Sequence, residues 1–178
     1  MFDPIVFDNL KVVVEGEIYD LDLSGQVSVV NREDLMDLAR FTRTYRISFQ
    51  QHSCCTATLA LSTDLDNIHA ELTPSRQEKP GCTVFISFYM KQAVAYTNED
   101  CNEIRTLCEK VWGANRVIEQ RVIHKVDTNE YENEVKVVFN RFVYEDQVAD
   151  LIEMIDYMLQ TTDQLKSYYD QQTQDENL

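Results

Sequence analysis

The chain has 178 residues, 44% of them apolar and 26% charged, and 16 Lys and Arg against 31 Asp and Glu leave a net charge of −15. That is a globular composition, long enough to bury a core without disulfide or metal staples. So acidic a surface repels nucleic-acid phosphates and anionic lipid, and no apolar run nears the ~20 residues of a spanning helix.

Taken in order, the residues predict an α+β fold. Residues 5–30 read as a β-meander. Val12, Val13 and Val14 are β-branched, Tyr19, Leu21 and Leu23 alternate with Ile18, Asp20 and Asp22, and Gly16 and Gly25 mark turns. Asn31 then reads as the N-cap of a short helix whose face is Leu35, Leu38 and Ala39. Alternation over residues 45–50 and 57–62 predicts two strands. Residues 64–72 fit a helix through Leu65, Ile68 and Leu72, or a strand through Ile68, Ala70 and Leu72; the helix is preferred.

Residues 73–81 hold two of the three Pro and read as a loop. It divides the chain into an N-terminal half, 1–73, and a C-terminal half, 82–169, which fit either two units or one domain. In residues 82–90, Val84, Ile86, Phe88 and Met90 face one way and Phe85 and Tyr89 the other. That predicts a central strand covered on both sides, with Val94 and Tyr96 continuing it after a turn. Asn98 caps a helix marked by Cys101, Ile104, Leu107, Cys108 and Val111, and Gly113 ends it. Residues 117–126 and 135–144 form a hairpin around Asp127-Thr128-Asn129-Glu130. Residues 145–169 form one long helix striped by Val148, Leu151, Ile152, Ile155, Met158, Leu159 and Leu165, and the polar residues 170–178 are expected to fray. The pairing is expected to be largely antiparallel, with helices on one face of the sheet. The C-terminal half is similar in element order to small α/β sandwich modules such as ACT-like domains and type III secretion chaperones. The likeness is one of order and acidic composition, and it carries over no residue.

Few residues offer chemistry. The five Cys are odd in number, and Cys54 and Cys55 are adjacent, which makes a poor disulfide framework and suggests reduced thiols in the cytoplasm. The start, Met1-Phe2-Asp3-Pro4, lacks the pattern of a signal peptide. His52 with Cys54 and Cys55 is a thiol or metal candidate, but no Cys pair has zinc-ligand spacing, so no metal and no cofactor is expected. Cys101 and Cys108 read as core, and His124, alternating with Val122 and Val126, as a buried strand residue. Asp64-Leu65-Asp66-Asn67 lacks the Gly and final Glu of a calcium loop. Phosphate-cradling and nucleophile-elbow motifs are absent from the sequence.

Arg32, Arg40, Arg43 and Arg46 place four of nine Arg within fifteen residues. Arg40, Arg43 and Arg46, with His52 and Cys54, are the binding candidates, for an anion or an acidic partner. Trp112 is expected to cap the core. Leu151, Ile155, Met158, Tyr168 and Tyr169 are the interface candidates, the two Tyr exposed if the helix projects or folded back on the sheet if it does not. Residues 144–178 hold nine acids and one base, Lys166, so −8 of the net −15 lies in the last fifth of the chain. A non-catalytic intracellular interaction protein is expected: an adaptor, a chaperone-like holder or a regulatory subunit. Its partner would be another protein or a second copy in a homodimer, with neither nucleic acid nor membrane. The alternative is an anion or small-molecule sensor, or a thiol- or metal-dependent enzyme, using the His52–Cys55 region or the Arg cluster.

Overall fold

A computed structural model describes residues 5–73 and 79–175. The element order is α1 (Ile5–Leu23), β1 (Ser28–Asp37), β2 (Thr42–Gln50), β3 (Cys55–Thr63), α2 (Leu65–Leu72), β4 (Gly81–Gln92), α3 (Asn98–Trp112), β5 (Val117–Lys125), β6 (Glu130–Tyr144) and α4 (Val148–Asp175). The six strands form one antiparallel sheet in the order β1-β2-β3-β4-β6-β5. The fold is α+β, and α1, α3 and α4 all pack on one face of the sheet.

The opening segment corrects the expected β-meander. Val6, Phe7, Leu10, Val14 and Ile18 recur at three- and four-residue spacing, and all five are buried against the sheet. The helix satisfies this longer stripe, and Val12 of the β-branched run is left exposed. Each fully buried Leu, Ile or Val contributes roughly 1.5–3 kcal/mol, so the stripe outweighs the small β preference of three Val. The next segment is corrected in the opposite sense. Asn31 is no N-cap; it lies in β1, just after a register shift at Val29/Asn31. As an edge strand, β1 buries little, so its sequence shows no alternation.

The loop expected at 73–81 falls partly on residues 74–78, which lie outside the described residues. Across it, β3 and β4 pair directly, Leu59 opposite Ile86, so the two halves of the chain share one sheet and one core. Asp64 caps α2, accepting the Asn67 amide at 3.0 Å. Thr97, one residue before the expected Asn98, caps α3: its Oγ1 accepts the Asp100 amide at 3.2 Å, and Asp100 accepts the Thr97 amide in return at 2.7 Å. Gly113, at φ 87°, ends the helix. Val94 and Tyr96 do not extend β4; they lie in the connection to α3.

At 28 residues, α4 is about 42 Å long and continues to Asp175, past the expected fraying point at 170. Leu151, Ile155 and Met158 are fully buried against the sheet, and Tyr168 is only 7% exposed. These interface candidates are therefore core residues within the chain. The stripe predicted the helix correctly but not its destination. Trp112 of α3 closes the contact, donating Nε1–H to Thr161 Oγ1 at 2.9 Å. Among the described residues, no helix is long and apolar enough to cross a membrane.

Candidate interaction surface

Strand residues alternate between the two faces of the sheet. On the helix face lie Tyr45, Ile47 and Phe49 of β2, Ala57, Leu59 and Leu61 of β3, and Val84, Ile86 and Phe88 of β4. The intervening residues point the other way: Thr44, Arg46 and Ser48; Thr56, Thr58 and Ala60; Phe85, Ser87 and Tyr89. No described helix crosses this second face. The central strand expected to be covered on both sides is thus covered on one.

The open face holds a trough of about 660 Å³ lined by residues of β1, β2, β3, β4 and β6. Its floor is a ladder of small hydroxyl side chains. Thr44 and Ser62 meet at 3.1 Å, Ser48 and Thr58 at 2.8 Å, and Gln50 donates to Thr56 at 2.8 Å. Ser48, Ala60 and Ser87 at the centre are buried by their neighbours alone. Phe85 and Tyr89 stand beside this floor. Lys136 Nζ lies 4.5 Å from the Phe85 ring centre, a cation–π contact, and Tyr89 donates its hydroxyl to Glu134 at 3.1 Å. Burial, then the Glu134 charge, pushes the Tyr89 phenol above its ordinary value.

Charges on this face come in opposite pairs. Arg46 meets Glu33 at 3.4 Å, Lys91 lies 3.4 Å from Glu130 and 3.6 Å from Glu132, and Lys125 pairs with Glu130 at 3.0 Å. Arg121 pairs with Glu134. By register, the face carries six acids (Glu33, Asp37, Glu119, Glu130, Glu132, Glu134) and five bases (Arg46, Lys91, Arg121, Lys125, Lys136). Only −1 of the net −15 therefore lies here, and the rest of the chain carries −14.

The Arg cluster does not converge. Arg43 and Arg46 are three apart on a strand and point to opposite faces. Arg43 faces the helices, where its Nε and Nη2 both bond Asp34 at 2.9 Å, Nη1 reaches Asp8 at 3.1 Å, and the guanidinium lies 4.8 Å from the Phe7 ring centre. Hydrogen bonding to Arg43 is the main reason that the Asp34 carboxyl falls to about 2. Arg32 pairs with Glu15 at 2.6 Å. Arg40 sits exposed in the β1–β2 turn, beside Phe41 in a left-handed conformation at φ 53°. Of the three binding Arg, only Arg46 lines the trough.

His52 and Cys54 lie in the β2–β3 turn, away from the open face. His52 Nε2 is 2.7 Å from Asp163 Oδ1 of α4, and Gln51 donates to the same oxygen at 3.1 Å, so these residues tie the turn to the helix. Burial raises the Cys54 thiol, and it pushes those of Cys82 and Cys108 up to about 12. Cys55, almost wholly buried, is raised further by the same cause. Burial thus disfavours the thiolate at each of these four positions. Among the described residues, no group of three or more His, Cys, Asp or Glu is placed to hold a metal ion. His124, expected to be buried, is exposed on edge strand β5 and stacks on Tyr131 at 4.3 Å. Tyr168 and Tyr169 fold back: Tyr168 donates to Asp100 at 2.7 Å, and the Tyr169 and Tyr96 hydroxyls meet at 2.6 Å.

Of the trough residues, the sequence marks only Arg46 as a binding candidate, although a signal for the others is present. Thr44, Ser48, Thr56, Thr58 and Ser62 alternate with buried apolar residues, the pattern of a sheet with one uncovered face. Comparisons of the chain with protein-family models, with curated proteins and with solved structures gave no match.

Proposed function

We propose that the chain is a non-catalytic interaction protein whose working surface is the open face of its sheet. The observation that carries this reading is the uncovered face itself. Three helices cover one side of a six-stranded sheet, while the other side leaves Phe85 and Tyr89 beside a floor of hydroxyls. Aromatic side chains over small polar ones suit a protein interface, where Tyr and Phe supply contact area and hydroxyls supply hydrogen bonds. The raised thiols support a binding role over a nucleophilic one. Five unpaired Cys, three of them buried, suit a reducing compartment, so a cytoplasmic location goes with this reading.

One observation favours a second reading, an anion or small-molecule sensor. The trough falls within the ~300–1,000 Å³ range of small-ligand sites, and Arg46, Lys91 and Lys136 line it. Two measurements separate the readings. A photo-crosslinking residue at Thr58, on the open face, is expected to give a discrete protein adduct in the expressing cell, whereas one at Asp156, exposed on α4, gives none. Thermal unfolding with phosphate, nucleotides and dicarboxylates is expected to stay unshifted. A saturable shift that Arg46→Ala abolishes, without a protein adduct from Thr58, replaces the interaction reading with the sensor.

A further inference from the structure

We infer that the occupant of the open face is a second copy of this chain, the two sheets packing face to face across a two-fold axis. The inference rests on the reading of that face as the working surface and names its partner.

Charge argues for it first. A two-fold interface presents the same patch from both sides and must complement itself. A face meant for a strongly charged partner would carry one sign; this one carries both signs in near-equal number, four of its five bases paired with an acid and the fifth, Lys136, opposite Glu119 in the strand register. Two molecules of net charge −15 repel over most of their surfaces, and the open face, at −1, is where they approach at least cost.

Size argues for it next. Five inter-strand spacings of about 4.8 Å and strands of about 30 Å give a face of roughly 700–800 Å². A contact over the whole of it would come near the ~800 Å² of accessible surface that each partner buries in a standard stable interface. Shape also fits. Twisted sheets pack with their strands aligned or near perpendicular, and in a crossed arrangement the raised corners of one sheet enter the trough of the other. The centre of the face, Thr58 opposite Ser87 on the middle strands β3 and β4, then lies next to the axis. Phe85 and Tyr89 flank it, where buried aromatics contribute most to binding.

Sedimentation velocity and light scattering of the full chain test the inference. The wild type is expected to sediment as a dimer at micromolar concentration. Ser87→Lys and Ser87→Glu, each folded by circular dichroism and thermal unfolding, are expected to weaken it by about thirtyfold or more. Mixing the two variants is expected to restore a dimer, because opposite charges then meet at the axis; Thr58→Lys with Thr58→Glu repeats the test should the Ser87 variants not fold. A wild type that is monomeric to near-millimolar concentration overturns the inference. If the Thr58 crosslink still yields an adduct with a different protein, the interaction reading survives and its partner is that protein. A dimer that persists unchanged in all four variants also overturns the inference and places self-association elsewhere, edge strand β5 being the next surface to test.

Discussion

Arg43 shows how a residue expected to bind a partner is used inside the fold. Its guanidinium makes two parallel bonds to Asp34, reaches Asp8 and covers the Phe7 ring, so it clamps β1 and β2 to α1. The Asp34 carboxyl, held at about 2 against an ordinary 3.8, gives this clamp a sign in pH. Its contribution is fully present above about pH 4, and it is lost as the pH falls from there toward 2, because the unfolded chain takes up the proton first. Asp34→Asn is expected to cost about 1–2 kcal/mol at neutral pH and to flatten the loss of stability over that window. Urea unfolding of both proteins at a series of pH values checks this, and parallel curves would show that the clamp contributes nothing. Asn133 is the reverse case. It is fully buried, and neither its Nδ2 nor its Oδ1 has a partner among the described residues. Asn133→Val, a β-branched residue on a central strand, is expected to stabilise by about 1–2 kcal/mol in the same assay, because the unpaired amide is removed. Spacing alone misjudged the Arg cluster. Closeness in sequence is not convergence in space: residues three apart on a strand point to opposite faces, so Arg43 and Arg46 of β2 diverge, and Arg40 lies in the turn before them.

At the scale of elements, α1 carries a direct test of its assignment. Gly16 lies exposed in the helix interior, and a Cβ built there would meet nothing within 4 Å. Gly16→Ala is therefore expected to stabilise the protein by about 0.5–1 kcal/mol, read as a raised denaturation midpoint with an unchanged slope. Were this segment the expected turn between strands, the same change would be neutral or harmful. Elements with a large buried face were legible: β2, β3, β4, α3 and α4 all follow their sequence periodicity. The two misread elements failed for different physical reasons. Two periods overlap in α1, and the alternation of Tyr19, Leu21 and Leu23 is incidental, for Leu23 is 85% exposed. As an edge strand, β1 turns Arg32 and Asp34 toward the polar flank of α1, so its inner face is not apolar. The destination of the α4 stripe was not legible at all, since an apolar face reads the same whether it meets its own sheet or another chain.

For the whole molecule, the distribution of charge matters more than its sum. The sequence places −8 in the last 35 residues, which suggested an acidic helix seeking a basic partner site. Folding changes that picture. The apolar side of α4 is spent on the core, Arg32, Arg43 and Arg46 of the cluster that would have received the acids are paired with Glu15, Asp34, Asp8 and Glu33, and the one face left uncovered is close to neutral. Association through that face then has a salt dependence opposite to that of ion-pair recognition. The ion pairs on the face lie within each copy, so salt screens little that holds two copies together. It does screen the repulsion between the −14 that each copy carries elsewhere. Raising the salt from about 0.01 M to about 0.1 M shortens the screening length from roughly 30 Å to roughly 10 Å, less than the width of the molecule. The proposed dimer is therefore expected to tighten several-fold over this range in sedimentation equilibrium. A dimer joined by contacts between acidic helices and Arg side chains would instead weaken, so the sign of the slope identifies which surface the two copies share.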